Sequence, residues 1–229
     1  MRTFGLIVLA IIAIPVVWAG SAWVYEGWNT YTYRYRLTIE VETPAGAKSS
    51  ASVIEVSIRE KASWVPQTGG VTPSARGEAV FVDFGGGRNV IALLASGPNA
   101  SNVDYPYYIV PTHFHLSNDH SALMKYSGLQ GQWDLPAQTL PTLVTFSDLN
   151  DPKTARLVRP EEFESVFGKG VHFKRASVEM TNEPVTTGIE KQLPWWNNPG
   201  RPANEAYRAW LAGETRGPSI GPETLFKRN

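Results

Sequence analysis

Three of the chain's four histidines stand at His113, His115 and His120. Imidazole is the commonest side-chain ligand for transition metals. On a strand, His113 and His115 would point to the same side, as in many metal sites, and Asp119 or Asp104 would supply an oxygen. The opposing reading is a loop whose rings bond to backbone or water, and no helical His-Glu-x-x-His accompanies the pair. His113, His115 and His120 are therefore the metal-ligand candidates. The expectation for them is the loop, with no cofactor.

Other patterns invite chemistry and are better read as structure. Gly217-Pro218-Ser219-Ile220-Gly221 spells the nucleophile elbow of a serine hydrolase. That motif needs a strand before the serine and a helix after it, whereas Pro222 follows here and no histidine comes after Ser219. Gly85-Gly86-Gly87 leads through Arg88-Asn89 into an apolar strand rather than a helix N-terminus, so it reads as a hairpin turn and not a phosphate cradle. Asp148, Asn150 and Asp151 begin like a calcium loop but lack its Gly and its Glu. Glu161, Glu162 and Glu164 suit the first turn of a helix. Trp195-Trp196 offers either a sugar-stacking platform or packing onto the domain. The chain has no cysteine, which removes disulfides, thiolate nucleophiles, iron–sulfur clusters, Cys-ligated zinc and a lipidated cysteine. No nucleophile–base pair stands out, so the expectation is a non-enzymatic protein.

The elements that must carry these residues follow from hydrophobic periodicity. Tyr31, Tyr33, Tyr35, Leu37, Ile39 and Val41 alternate with Thr32, Arg34, Arg36, Thr38, Glu40 and Glu42, which predicts a half-buried strand with one wet face. Thr43-Pro44-Ala45-Gly46 turns the chain, and Ile54, Val56 and Ile58 complete an antiparallel hairpin. Residues 61–76 read as loop, 78–84 and 90–95 as two strands, and 96–112 as irregular. Ser117-Asn118-Asp119 caps a short helix ending near Gly128. Strands are expected at 142–146, 155–158 and 171–180, a short helix from Pro160 to Gly168, and a last helix at 202–213. The fold class expected is mainly β, an antiparallel sheet or sandwich-like domain with two or three short helices, plus an N-terminal transmembrane helix.

The transmembrane expectation rests on an uncharged run from Phe4 to Tyr25. Its apolar core comprises Leu6, Ile7, Val8, Leu9, Ile11, Ile12, Ile14, Val16, Val17 and Trp18. As helix its 22 residues would span about 33 Å, against a hydrocarbon core of about 30 Å. Trp18, Trp23, Tyr25 and Trp28 gather at its far end like an interfacial aromatic belt. Arg2 lies on the near side, and the next positive residue is Arg34. Small residues at Val17-Trp18-Ala19 and Gly20-Ser21-Ala22 also allow a cleaved signal peptide. A buried core helix is the third reading; the other two both export residues 29–229 as one extracytoplasmic domain. The anchor reading makes residues 1–28 a single pass of the cell inner membrane, with a cytoplasmic N-terminus and a periplasmic domain.

Lys+Arg and Asp+Glu both number 21, so the chain lacks the basic excess that phosphate neutralisation requires, and nucleic acid is not an expected partner. The run 142–154 (TLVTFSDLNDPKT), Phe163 to Gly170, Val178-Glu179-Met180-Thr181 and the Tyr33–Thr38 strand YRYRLT together resemble uncharacterised, membrane-anchored proteobacterial proteins. The resemblance implies an envelope location and carries no activity. The partners expected are the membrane and a protein component of the envelope, with a glycan- or metal-binding module as the alternative function.

Overall fold

In the computed structural model, residues 16–64, 70–151, 154–197 and 223–228 are described. A helix at residues 16–28 (α1) passes through Asn29 into β1 (Thr30–Glu42). β2 (Lys48–Glu60) returns antiparallel with Tyr35 opposite Ile54. The alternation in β1 does what its pattern dictates: Tyr33, Tyr35, Leu37, Ile39 and Val41 are buried. The polar face pairs charges directly across the ladder, Arg34 with Glu55, Arg36 with Glu179 and Glu40 with Arg175.

Two antiparallel sheets form the domain. The first adds β3 (Val71–Glu78), β6 (Gln132–Asp134), β9 (His172–Met180) and β10 (Lys227–Arg228) to the hairpin, in the order β10-β3-β2-β1-β9-β6. The second runs β4 (Val80–Gly85), β5 (Arg88–Ser96), β7 (Pro141–Phe146), β8 (Ala155–Leu157). Their facing sides share one core, with Leu37, Ile39 and Val56 meeting Val82, Ala92 and Leu94. Among the described residues four short helices accompany them: α2 (Tyr105–Phe114), α3 (His120–Leu123), α4 (Phe163–Phe167) and α5 (Glu223–Phe226).

β5 explains why its sequence is apolar without alternation. Val90, Ala92 and Leu94 face the first sheet, while Ile91, Leu93 and Ala95 lie in a second cluster with Leu193, Trp195, Leu225 and Phe226. A strand covered on both faces has no wet side to mark with polar residues. The chain's C-terminal segments are the cover.

Three expectations are corrected. Residues 71–78 are not loop but β3, whose Pro73 sits opposite Ile58 on a strand paired over that stretch to β2 alone, the edge position a proline tolerates. Residues 78–84 are not one strand. The chain passes from the first sheet to the second at Ala79, whose N–H bonds to the Phe226 carbonyl. Residues 105–112 are not irregular but belong to α2, so among the described residues the short helices outnumber those expected. Pro106 is compatible with a first helical turn, and Pro111 sits inside the helix near its end.

Among the described residues no helix is long and apolar enough to cross a membrane. Leu6, Ile7, Val8, Leu9, Ile11, Ile12 and Ile14 lie outside the described residues, as do the expected helix at 202–213 and the motif at 217–221. Val16, Val17 and Trp18 are in α1 and exposed.

Candidate functional site

The three histidines are not gathered. His113 lies in the last turn of α2, and its ring stacks on Trp133 at 3.9 Å and 4°. His115 ends that helix in the left-handed conformation, φ 52°, instead of lying on a strand beside His113. His120 opens α3, where its Nδ1 lies 2.8 Å from Glu60 Oε2 and 3.3 Å from the Tyr31 hydroxyl. Asp119 is committed to capping α3, its carboxylate accepting from the Ala122 N–H. No group of three metal-ligating side chains occurs among the described residues.

The His113–Trp133 stack forms part of the wall of a cleft of about 400 Å³ between α2 and the segment 133–139. Tyr105, Tyr108 and Ile109 line it from the helix, and Trp133, Leu135 and Pro136 from the opposite side. β6 brings Trp133 here by pairing it with Val178, and the Leu135 N–H bonds to the Ala176 carbonyl. Phe114 meets the Trp133 ring edge-on at 5.5 Å. Tyr105 donates its hydroxyl to the Thr139 carbonyl at 2.8 Å, which ties the floor of the cleft to the 3-10 turn Ala137–Thr139. Burial pushes the Tyr105 phenol well above its ordinary pKa. Desolvation, and then the neighbouring His115, holds His113 below the usual imidazole value and so favours its neutral form. Ser96, Asn102, Thr112, Asp134, Gln138 and Thr139 add polar groups to the lining, and Asn102 already donates to Ser96 Oγ at 3.3 Å.

Several other sequence candidates have structural employment. Gly85, Gly86 and Gly87 all take positive φ in the β4–β5 turn. Asp148 accepts from the Asn150 N–H at 2.8 Å. Glu162 accepts from the Arg159 N–H at 2.8 Å, and Glu164 from the Gly170 N–H at 3.0 Å. Trp195 is buried against Phe146 and Phe226, while Trp196 is partly buried beside it. No sequence motif marks the cleft itself. Its one available signal was the density of aromatics in Tyr105-Pro106-Tyr107-Tyr108 and at Trp133. No family model matches the chain, and neither a curated protein nor a solved structure is significantly similar to it.

Proposed function

We propose that this chain is a membrane-tethered, non-enzymatic envelope protein that binds another envelope component through the cleft beside α2. The aromatic cleft is the observation that carries the reading. Its volume of about 400 Å³ falls within the range of small-ligand sites, roughly 300–1,000 Å³. Tyr105, Tyr108, Ile109 and Trp133 offer apolar surface, and the Tyr105 hydroxyl is already spent on Thr139. An uncharged group of one or two rings is the fit. A charged group would lose hydration against these walls without a buried counter-charge to replace it. The tether is supported by the uncharged run from Phe4 to Tyr25 and by the placing of Arg2 and Arg34 on either side of it.

The test is saturation-transfer NMR with indole as the uncharged two-ring probe, on the full chain in lipid nanodiscs, with empty nanodiscs subtracted. Indole signal is expected, lost in Ile109→Trp, which fills the cleft, and reduced in Tyr108→Ala. Thermal unfolding of each variant controls for folding. Signal unchanged in a folded Ile109→Trp variant would refute the cleft as the site.

A further inference from the structure

We infer that the domain does not hang from its tether on a flexible linker but is seated on the bilayer surface, with Trp64 and the end of α1 in the lipid headgroup region. This rests on the tether proposed above and adds where the domain lies relative to the lipid.

The junction is short and hydrogen-bonded. One residue separates α1 from β1, and the Asn29 N–H and side-chain amide both donate to the Tyr25 carbonyl at 2.9 Å. The Thr30 hydroxyl donates to the Glu26 carbonyl at 2.8 Å, and the Glu60 N–H to the Asn29 carbonyl at 2.9 Å. The last turn of the helix is thereby fastened to the ends of both β1 and β2. A second fastening comes from Trp64, just past β2, whose ring meets Tyr25 edge-on at 4.7 Å.

The same end of the molecule exposes an apolar surface that water does not favour. Trp23 is 77% exposed, Trp28 85% and Trp64 44%. Only Ala22, Tyr25 and Glu26 of α1 turn toward protein, at helical spacing, while Val16, Val17, Trp23 and Val24 are left bare. The uncharged sequence that continues upstream to Phe4 says what covers them: a hydrocarbon phase. From Trp23 to Trp28 the helix rises about 7.5 Å, close to the roughly 5–7 Å of headgroup region on each side of a bilayer core. Trp and Tyr rings favour that zone. Because Trp64 touches Tyr25, which lies between them, it is held at the same depth. The β1–β2 turn at Pro44-Ala45 is at the opposite end of that hairpin, about 40 Å off along a strand of 13 residues.

The absence of cysteine makes the test clean. Full-length chains carrying a single nitroxide-labelled cysteine at Ser63→Cys or, as control, Ala45→Cys are placed in phosphatidylcholine–phosphatidylglycerol nanodiscs. Power-saturation electron paramagnetic resonance then compares accessibility to oxygen and to a water-soluble nickel chelate. The Ser63 label should be several-fold less accessible to the chelate than the Ala45 label, and more accessible to oxygen. Equal chelate access at both sites, in protein that stays with membranes through an alkaline wash, would overturn the seating while leaving the tether intact. Protein that washes off would overturn the tether itself. A Ser63 label shielded from both reagents, with spin–spin broadening, would show a second copy covering the surface and would also overturn the proposal.

Discussion

Glu78 is the carboxylate on which the closure of the C-terminus depends. It is 2% exposed, at the end of β3. Its Oε2 accepts from the Ile189 N–H at 2.7 Å, and its Oε1 lies 3.2 Å from Lys227 Nζ. Removing it as Glu78→Ala strands the buried Ile189 N–H, at about 1–3 kcal/mol for a lost hydrogen bond. Breaking a buried ion pair outright costs about 3–5 kcal/mol. Lys227 keeps Glu190 at 3.1 Å and remains partly solvated, which places the pair's share below that range. The sum is about 3 kcal/mol, or about 6–12 °C in melting temperature for a domain of this size. Glu78→Gln retains an oxygen for Ile189 and should lose about half as much. Circular-dichroism melting gives the stabilities, and hydrogen exchange should show the Ile189 and Lys227 amides unprotected in Glu78→Ala. An Ala variant melting within about 2 °C of the parent, or a Gln variant as damaged as the Ala variant, would refute the reasoning.

Other consequences are as direct. Burial raises the phenols of Tyr33, Tyr35 and Tyr105. These acids stay neutral in the fold while the unfolded chain ionises near pH 10, so their contribution to stability is whole below about pH 10 and falls as pH rises beyond it. Alkaline titration of tyrosinate absorbance should leave these three silent until a cooperative unfolding step, and a smooth titration of all nine tyrosines would contradict it. Asp119 is held well below the carboxylate range by the Ser117 and Ser121 hydroxyls and the Ala122 N–H. A depressed carboxyl contributes fully above its unfolded value and less as pH falls through about 4. Asp119→Asn should therefore be less stable than the parent at neutral pH and converge with it in acid; a gap that is constant with pH would sink that account.

The sequence made the first hairpin legible because β1 is covered on one face only, and that difference writes itself as alternation from Tyr31 to Glu42. β9 and the helix opened by Pro160 were legible for related reasons, an apolar stripe and a clear start signal. β3 was hidden because a strand of Pro, Ser, Gly and Arg, paired on one side only over most of its length, looks like a turn until β2 offers it a ladder. α2 was hidden by its own prolines, one of which helps a helix begin. Trp195-Trp196 could be read as platform or packing, and only the second cluster beneath β5 shows that Trp195 is spent on core. The cleft was invisible because its walls come from residues 105–113 and 133–139, which no local periodicity connects.

The claim at the centre is that a membrane holds this chain by its first segment and presents the domain on the far side. Labelling of an Ala45→Cys chain with a membrane-impermeant maleimide in intact spheroplasts, followed by alkaline carbonate extraction, tests both halves in one experiment. The account predicts a full-length, labelled protein in the membrane pellet. Label acquired only after lysis, or a labelled chain in the supernatant that begins near Gly20 or Trp23, would contradict it.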